Sequence, residues 1–265
     1  MTLRLTTWNI NSVRLRIDQV TRFLERVQPD VLCLQETKVP DPLFPLKAFN
    51  KLGYEHHAVA GQKGYHGVAI LSRIPMKNAT RRDWSGKEDA RHVYATLENG
   101  ITVHNFYVPA GGDIPDPEEN EKFAHKLSFM DEMTGWFPDS YSPDDKLILV
   151  GDLNVAPSEH DVWSHKQLLK VVSHTPIEVE KLGAVQGALN WVDAVREVSP
   201  EPEKLYSWWS YRARDWRASN RGRRLDHVWV TPPLGPKIRS MEIFDEARDW
   251  EKPSDHAPIT VELDV

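Results

Sequence analysis

Several apolar runs in this sequence break off into side chains able to hold a hard cation or touch a phosphate. TWNIN delivers Asn9 and Asn11, VLCLQET delivers Glu36, ITVHNFYVP delivers Tyr107, and KLILVGDLN delivers Asp152 and Asn154. Asp226 opens the run LDHVWV, and Asp255 and His256 precede the last one. An acid just past a strand is ordinarily a turn or helix-cap residue, so no single one of these is informative. Together, carboxylates and carboxamides without a cysteine cluster form a donor set for Mg²⁺ or Mn²⁺. Such ions take oxygen ligands, keep several waters and complete their shell with substrate phosphate. The matching substrate is a phosphodiester. Its hydrolysis needs an activated water, charge stabilisation on the phosphoryl oxygens and relief of charge on the leaving alkoxide. His256 is the candidate to activate water or stabilise the phosphate, and Asp226 the candidate to orient its ring.

Acidic residues outnumber basic ones by 39 to 33, the wrong sign for binding nucleic acid through bulk charge. Distribution matters more. Six arginines (Arg212, Arg214, Arg217, Arg221, Arg223, Arg224) stand against one acid, Asp215, in a single short segment. An isolated charge run is usually a solvated face. Beside Trp208 and Asp226, this one is expected to grip backbone phosphates, with Arg212, Arg221 and Arg223 as contacts. Lys63 in GQKGYHG is expected to do the same, because the flanking glycines allow close backbone approach. Most of the ten tryptophans belong in cores. For Trp209 a core place and a pocket place fit equally.

The elements that must position these groups are mostly strands. Runs bounded by turn residues occur at LRLTTWNI, DVLCLQET, YHGVAILS, HVYATLE, ITVHNFYVP, KLILVGDLN, YSWWSY, LDHVWVT, IRSMEIF and PITVELDV. Helical spacing appears at Val13, Ile17, Val20, Leu24 and Val27, with Asn11 or Ser12 placed to cap it. It recurs at Phe123, Leu127, Met130 and Phe137. Pro-rich stretches at 40–45, 138–143 and 199–202 read as surface loops. The pattern predicts α/β architecture with two packed sheets flanked by helices, in a single domain over 1–265. Cys33, the only cysteine, excludes an internal disulfide and reads as core. No targeting or membrane-spanning segment is evident, so a cytoplasmic protein is expected.

The runs TWNINSVR, LQETKV, GQKGYHGVAIL, YVPAG, GDLNVAP, YSWWSYR, NRGRRLDHVWV and EKPSDHAPI resemble the ordered motifs of the exonuclease III and apurinic/apyrimidinic endonuclease family. GDLN and SDH alone would fit the wider deoxyribonuclease I-like group. The resemblance implies a four-layer α/β sandwich and a magnesium-dependent DNA repair nuclease with 3′–5′ exonuclease or 3′-end-processing activity and abasic-site incision. It also implies a monomer acting on double-stranded DNA with 3′ ends, nicks or abasic sites. Carried over by motif, Glu36 is the principal metal ligand, with Asn9 and Asp255 close by and Asp152, Asn154 and His256 around the ion. Asn11 neighbours that shell and faces the DNA, Tyr107 contacts the scissile phosphate, and Asn154 holds Asp152. Asp152 is either the general base for water or the proton donor to the leaving group. Asp226 orients His256, and Trp208 lines the lesion pocket.

Three features depart from the family pattern. Ala110 follows YVP where Asn or Gln is usual, which removes a phosphate-side hydrogen bond. The acidic loop GGDIPDPEENE would repel a duplex it faced, so it points elsewhere or narrows what binds. Ser173 and His174 replace a small residue and an aromatic, and His174 is expected to crowd the lesion pocket, favouring 3′-end trimming over incision. The competing functions are a phosphodiesterase or phosphatase of the same fold acting on RNA or small phosphates, and a non-catalytic DNA-binding module. The extended cationic segment disfavours the first and the full set of polar strand ends the second.

Overall fold

In the computed structural model, which describes residues 2–265, the run VLCLQ is buried throughout. Val31 and Cys33 pack into one core while Leu32 and Leu34 pack into another. That alternation belongs to a strand covered on both faces. In chain order the strands are β1 (Thr2–Asn9), β2 (Val31–Gln35), β3 (His56–Ala60), β4 (Val68–Ser72), β5 (Met76–Arg81), β6 (His92–Leu97) and β7 (Thr102–Tyr107). They continue as β8 (Leu147–Asp152), β9 (Val192–Asp193), β10 (Trp208–Trp209), β11 (Gly222–Arg223), β12 (Asp226–Val230), β13 (Ile238–Ile243) and β14 (Ile259–Asp264). Two six-stranded mixed sheets result, ordered β13-β14-β1-β2-β4-β3 and β5-β6-β7-β8-β12-β9.

Leu5, Val31, Ile70, Val103, Ile148 and Val228 meet between the sheets. Helix Ile17–Val27 covers the outer face of the first sheet through Val20, Phe23 and Leu24. Helices Glu121–Ser140 and Pro176–Ala188 cover the second through Phe129, Met133, Leu182 and Val185. The architecture is the expected four-layer α/β sandwich.

Each sheet has one parallel pair, β1 with β2 and β7 with β8. Their carboxyl ends deliver Asn9, Glu36, Tyr107 and Asp152 to one rim. Asn105 pins the sheets together near that rim, donating to the carbonyls of Leu34 (3.0 Å) and Ala69 (2.9 Å) and accepting from Gln35 Nε2 (2.7 Å). With these polar groups buried and paired, sliding one sheet over the other would orphan several of them at once.

Several local expectations need correcting. The first helix starts at Ile17 after Arg16, and neither Asn11 nor Ser12 caps it. Both adopt left-handed backbone, and the N–H groups of Ser12 and Val13 donate to the carbonyls of Glu36 (2.7 Å) and Thr37 (3.1 Å). The segment is therefore spent on bracing the Glu36 loop instead of the helix. Pro138 lies inside the long helix, not in a loop. Asp41–Leu43 form a 3₁₀ turn leading to a helix at Leu46–Asn50. YSWWSY yields only β10, paired with β11. β3 and β5, absent from the expected strands, are sheet edges. The exposed, polar side chains of β5 and the two histidines that open β3 hide the apolar alternation that marks interior strands.

Candidate active site

The parallel strand ends open into a cleft of about 680 Å³ lined by Glu36, Tyr107, Asp152, Asn154, Asp255 and His256. One carboxamide ties its halves together. Asn9 Nδ2 donates to Glu36 Oε1 at 2.9 Å and to Asp152 Oδ2 at 2.8 Å, linking a residue after β2 to the end of β8. Tyr107 donates its hydroxyl to the same Glu36 oxygen at 2.9 Å. Burial raises the Tyr107 phenol well above its ordinary value, with the Glu36 and Asp152 charges adding to the rise. It is a hydrogen-bond donor at any working pH.

Lys38 was not foreseen. Its ammonium lies 2.8 Å from Glu36 Oε2 and 2.6 Å from Asn11 Oδ1. Burial works against ionised Glu36, but Lys38 and the Asn9 amide outweigh it and hold the carboxyl below the usual range. The site is thus built for positive charge. Glu36 and Asp255 offer carboxylate oxygens, the donor type that a hard cation takes. Asp255 is held by Trp208 Nε1 (3.0 Å) and Asn11 Nδ2 (3.1 Å). Burial opposes its charge as well, yet the nearby His256 charge and these donors keep its pKa low.

The SDH turn is fixed by β1. Ser254 Oγ donates to the Asn9 carbonyl at 2.6 Å, and Trp8 Nε1 donates to the His256 carbonyl at 3.0 Å. His256 Nδ1 then sits 2.8 Å from Asp226 Oδ2, and its Nε2 lies 3.7 Å from Asp152 Oδ2. Burial disfavours the imidazolium, but Asp226 and Asp152 raise its pKa to about 10. Burial pushes Asp152 up to about 7, where the His256 charge resists the rise and Asp226 and Glu36 assist it. Asp152, Asp226 and His256 stand close enough to surround an ion. In its doubly protonated form the His256 imidazole has no lone pair to give. Asn154 completes the group, its backbone N–H on Asp152 Oδ1 at 3.0 Å and its Nδ2 on Asp152 Oδ2 at 3.3 Å. Another group missed from sequence is Ser207, whose hydroxyl donates to Asp226 at 2.6 Å while accepting the N–H groups of Leu225 and Asp226.

The arginine segment divides. Arg212, Arg221 and Arg223 line the cleft, Arg221 stacking over Trp163 at 4.8 Å and Arg223 over Trp208 at 5.2 Å. Arg224 does not grip phosphate. It is buried and bonded to Asp161 (2.7 Å) and Asp193 (2.7 Å). Arg217 is likewise engaged, with Asp245 and Asp249. Trp208 lines the cleft, and Trp209 borders it too while being largely buried, packed against Trp216 with its indole N–H on Asn220. Lys63 lies on the exposed loop 61–67 beside the cleft, outside its lining, and His66 of that loop faces Tyr107.

His174 does not crowd the pocket. Its ring is turned inward, Nδ1 on the Ala156 carbonyl at 2.6 Å and Nε2 on His165 at 2.8 Å, and the small Ser173 forms the wall. From the acidic loop, Asp113 does reach the lining, beside Ala110.

Residues 6–256 match the model of the endonuclease/exonuclease/phosphatase family. The chain belongs to that family. Within it, the chain is 32% identical to exodeoxyribonuclease III of Haemophilus influenzae, over 98% of this chain and all of that one. The fold superposes on an AP endonuclease from Archaeoglobus fulgidus with a TM-score of 0.92 at 32% identity, covering 99% of this chain and 100% of that one. It matches the 3′ phosphatase NExo from Neisseria, bound to a product DNA hairpin, with a TM-score of 0.90 at 31% identity and the same coverage. By membership in the exonuclease III branch, this endonuclease/exonuclease/phosphatase chain is a hydrolase of the nuclease type. Among the described residues, no helix is long and apolar enough to cross a membrane.

Proposed function

We propose that the chain is a magnesium-dependent DNA repair nuclease that processes 3′ ends of double-stranded DNA, removing nucleotides or a terminal phosphate, and incises abasic sites in the same cleft. The observation that carries this reading is the Asn9 carboxamide shared between Glu36 and Asp152. It sets the residue suited to a cation beside the residue suited to move a proton. The relatives' activities on DNA 3′ ends and abasic sites support the substrate class.

Glu36 would hold the ion, with Asn9 and Asp255 near it; when bound, magnesium supplies charge neutralisation on the phosphate and the leaving oxygen. The protein's own groups do the rest. Tyr107 O–H and the imidazolium of His256 donate to phosphoryl oxygens, where negative charge grows in the transition state. Asp226 keeps the imidazole charged and aimed. With a pKa near neutrality, Asp152 takes the proton from the attacking water when ionised. Asn154 fixes both carboxylate oxygens for that transfer. Arg212, Arg221 and Arg223 neutralise backbone phosphates along the rim, and Trp208 packs against the terminal or abasic sugar. Because His174 faces away and Ser173 is small, the steric objection to incision falls and only Ala110 and Asp113 weigh against it.

The test is a magnesium-dependent assay comparing a duplex bearing an abasic-site analogue with one bearing a recessed or phosphate-blocked 3′ end. Cleavage of both is expected. Trimming without incision would restrict the activity to 3′ ends.

A further inference from the structure

Two left-handed backbone positions in the cleft wall converge on one buried ion pair. Asn154 has φ 54° and Ser173 has φ 86°, a left-handed region that serine seldom occupies. Lys126 and Glu178, from the two helices that back this wall, are both fully enclosed and paired with each other. Lys126 Nζ also donates to the carbonyls of Asn154 (2.7 Å) and Ala110 (3.3 Å). Glu178 accepts the Ser173 N–H on both oxygens, each at 2.9 Å, and the Thr175 N–H (3.1 Å) and hydroxyl (2.6 Å).

Three separate segments, following Tyr107, following Asp152 and preceding the helix Pro176–Ala188, are thereby fastened to one point below the cleft floor. The Lys126 stem is part of the fit. A Cβ on Gly111, whose φ is +91°, would come within 2.9 Å of Lys126 Cδ. Helix packing alone does not call for a buried ammonium, since an apolar side chain of the same volume fills such a place at lower cost. What an apolar side chain cannot do is satisfy carbonyls from two active-site turns at once.

We propose that Lys126 is a positioning residue for phosphodiester hydrolysis, setting through the Asn154 carbonyl the place at which Asn154 holds Asp152, and that Glu178 is its counterpart for the Ser173 wall. This rests on the nuclease reading above. A displacement of the Asp152 pair costs rate in the chemical step, while Arg212 and Arg221 at the rim are not bonded to the network and Arg223 alone touches it, through the Val172 carbonyl and the Ser173 hydroxyl. The effect therefore falls on kcat and not on KM.

Lys126→Met tests it on a duplex with a recessed 3′ end, with the folded fraction measured by urea titration and near-ultraviolet circular dichroism. Lys126→Met/Glu178→Leu removes both charges, leaves no buried charge unpaired, and serves where the single variant is unstable. The expected result is a kcat per folded molecule lowered about tenfold to hundredfold, with KM within about threefold of wild type. A folded variant of either kind with kcat within about twofold of wild type overturns the proposal, as does a loss confined to KM. A wild-type protein inactive on the same duplex contradicts the nuclease reading instead.

Discussion

His256 Nδ1 lies 2.8 Å from Asp226 Oδ2, and that contact fixes the face of the imidazole presented to the cleft. Asp226 is itself fully buried and set by the Ser207 hydroxyl, so its orientation does not depend on substrate. Asp226→Asn keeps the shape and removes the charge that sustains the imidazolium. Single-turnover cleavage should slow by about 10²- to 10⁴-fold, the range known for removing an orienting carboxylate, with KM little changed. A loss below threefold would mean that Asp226 orients nothing that matters to the reaction.

The raised pKa values carry a stability cost with a definite sign. Asp152 is raised to about 7 and His256 to about 10, above their unfolded values of about 3.9 and about 6.5. The folded protein therefore binds more protons than the unfolded chain. The stability that each bound proton supplies is complete below the unfolded pKa and lost as pH rises through the folded one. The stability that these two groups supply should decline from about pH 4 to about pH 10. Asp152→Asn abolishes the lower part of that decline, so the melting temperature of the inactive variant relative to wild type should rise by about 2–4 °C between pH 4 and pH 8, the pH-independent loss from setting an amide N–H against the Asn9 and Asn154 donors cancelling in the comparison. A difference between variant and wild type that does not change with pH would show that the Asp152 pKa is not raised.

The arginines offer a paired contrast. Arg212→Ala and Arg221→Ala should each weaken duplex binding and reduce the slope of log K against log salt by about 1, with melting temperature unchanged. Arg224→Ala should leave Asp161 and Asp193 without their shared partner and destabilise the fold by about 3–5 kcal/mol, whatever the salt. Fluorescence-anisotropy titrations at several salt concentrations, alongside urea unfolding, separate the two behaviours. Equal effects of all three substitutions on binding alone would undo the division of the segment.

Glu36→Gln keeps the hydrogen bond from Asn9 but loses the charge that suits a cation. The magnesium concentration giving half-maximal cleavage should rise at least about tenfold, with duplex affinity in EDTA unaltered. An unchanged magnesium requirement would remove Glu36 as the anchor.

The site was legible in sequence where a strand ends in a chemically distinctive residue. Asn9, Asp152, Asp226 and His256 each interrupt an apolar run; Asp152 and His256 line the cleft, and Asn9 and Asp226 are buried directly behind it, bonded to Asp152 and His256. What sequence spacing hid was charge already in use. Arg224 looks like its neighbour Arg223 until Asp161, distant in sequence, closes on it. Lys126 falls on the apolar face of its helix, three residues after Phe123 and four before Met130, but spacing does not show that Glu178 of a second helix pairs with it there. His174 was misjudged for a related reason, since the direction of its ring depends on Ala156 and His165 and not on the residues beside it. In the fold, interior strands announced themselves and the edges β3 and β5 did not.

The most direct test follows release of nucleotides or phosphate from a duplex with a recessed or phosphate-blocked 3′ end, with magnesium and then with excess EDTA, for wild type and Asp152→Asn. The account predicts cleavage by wild type that EDTA abolishes and added magnesium restores, and none above background by the variant. Cleavage that persists in EDTA, or that Asp152→Asn retains, would contradict it.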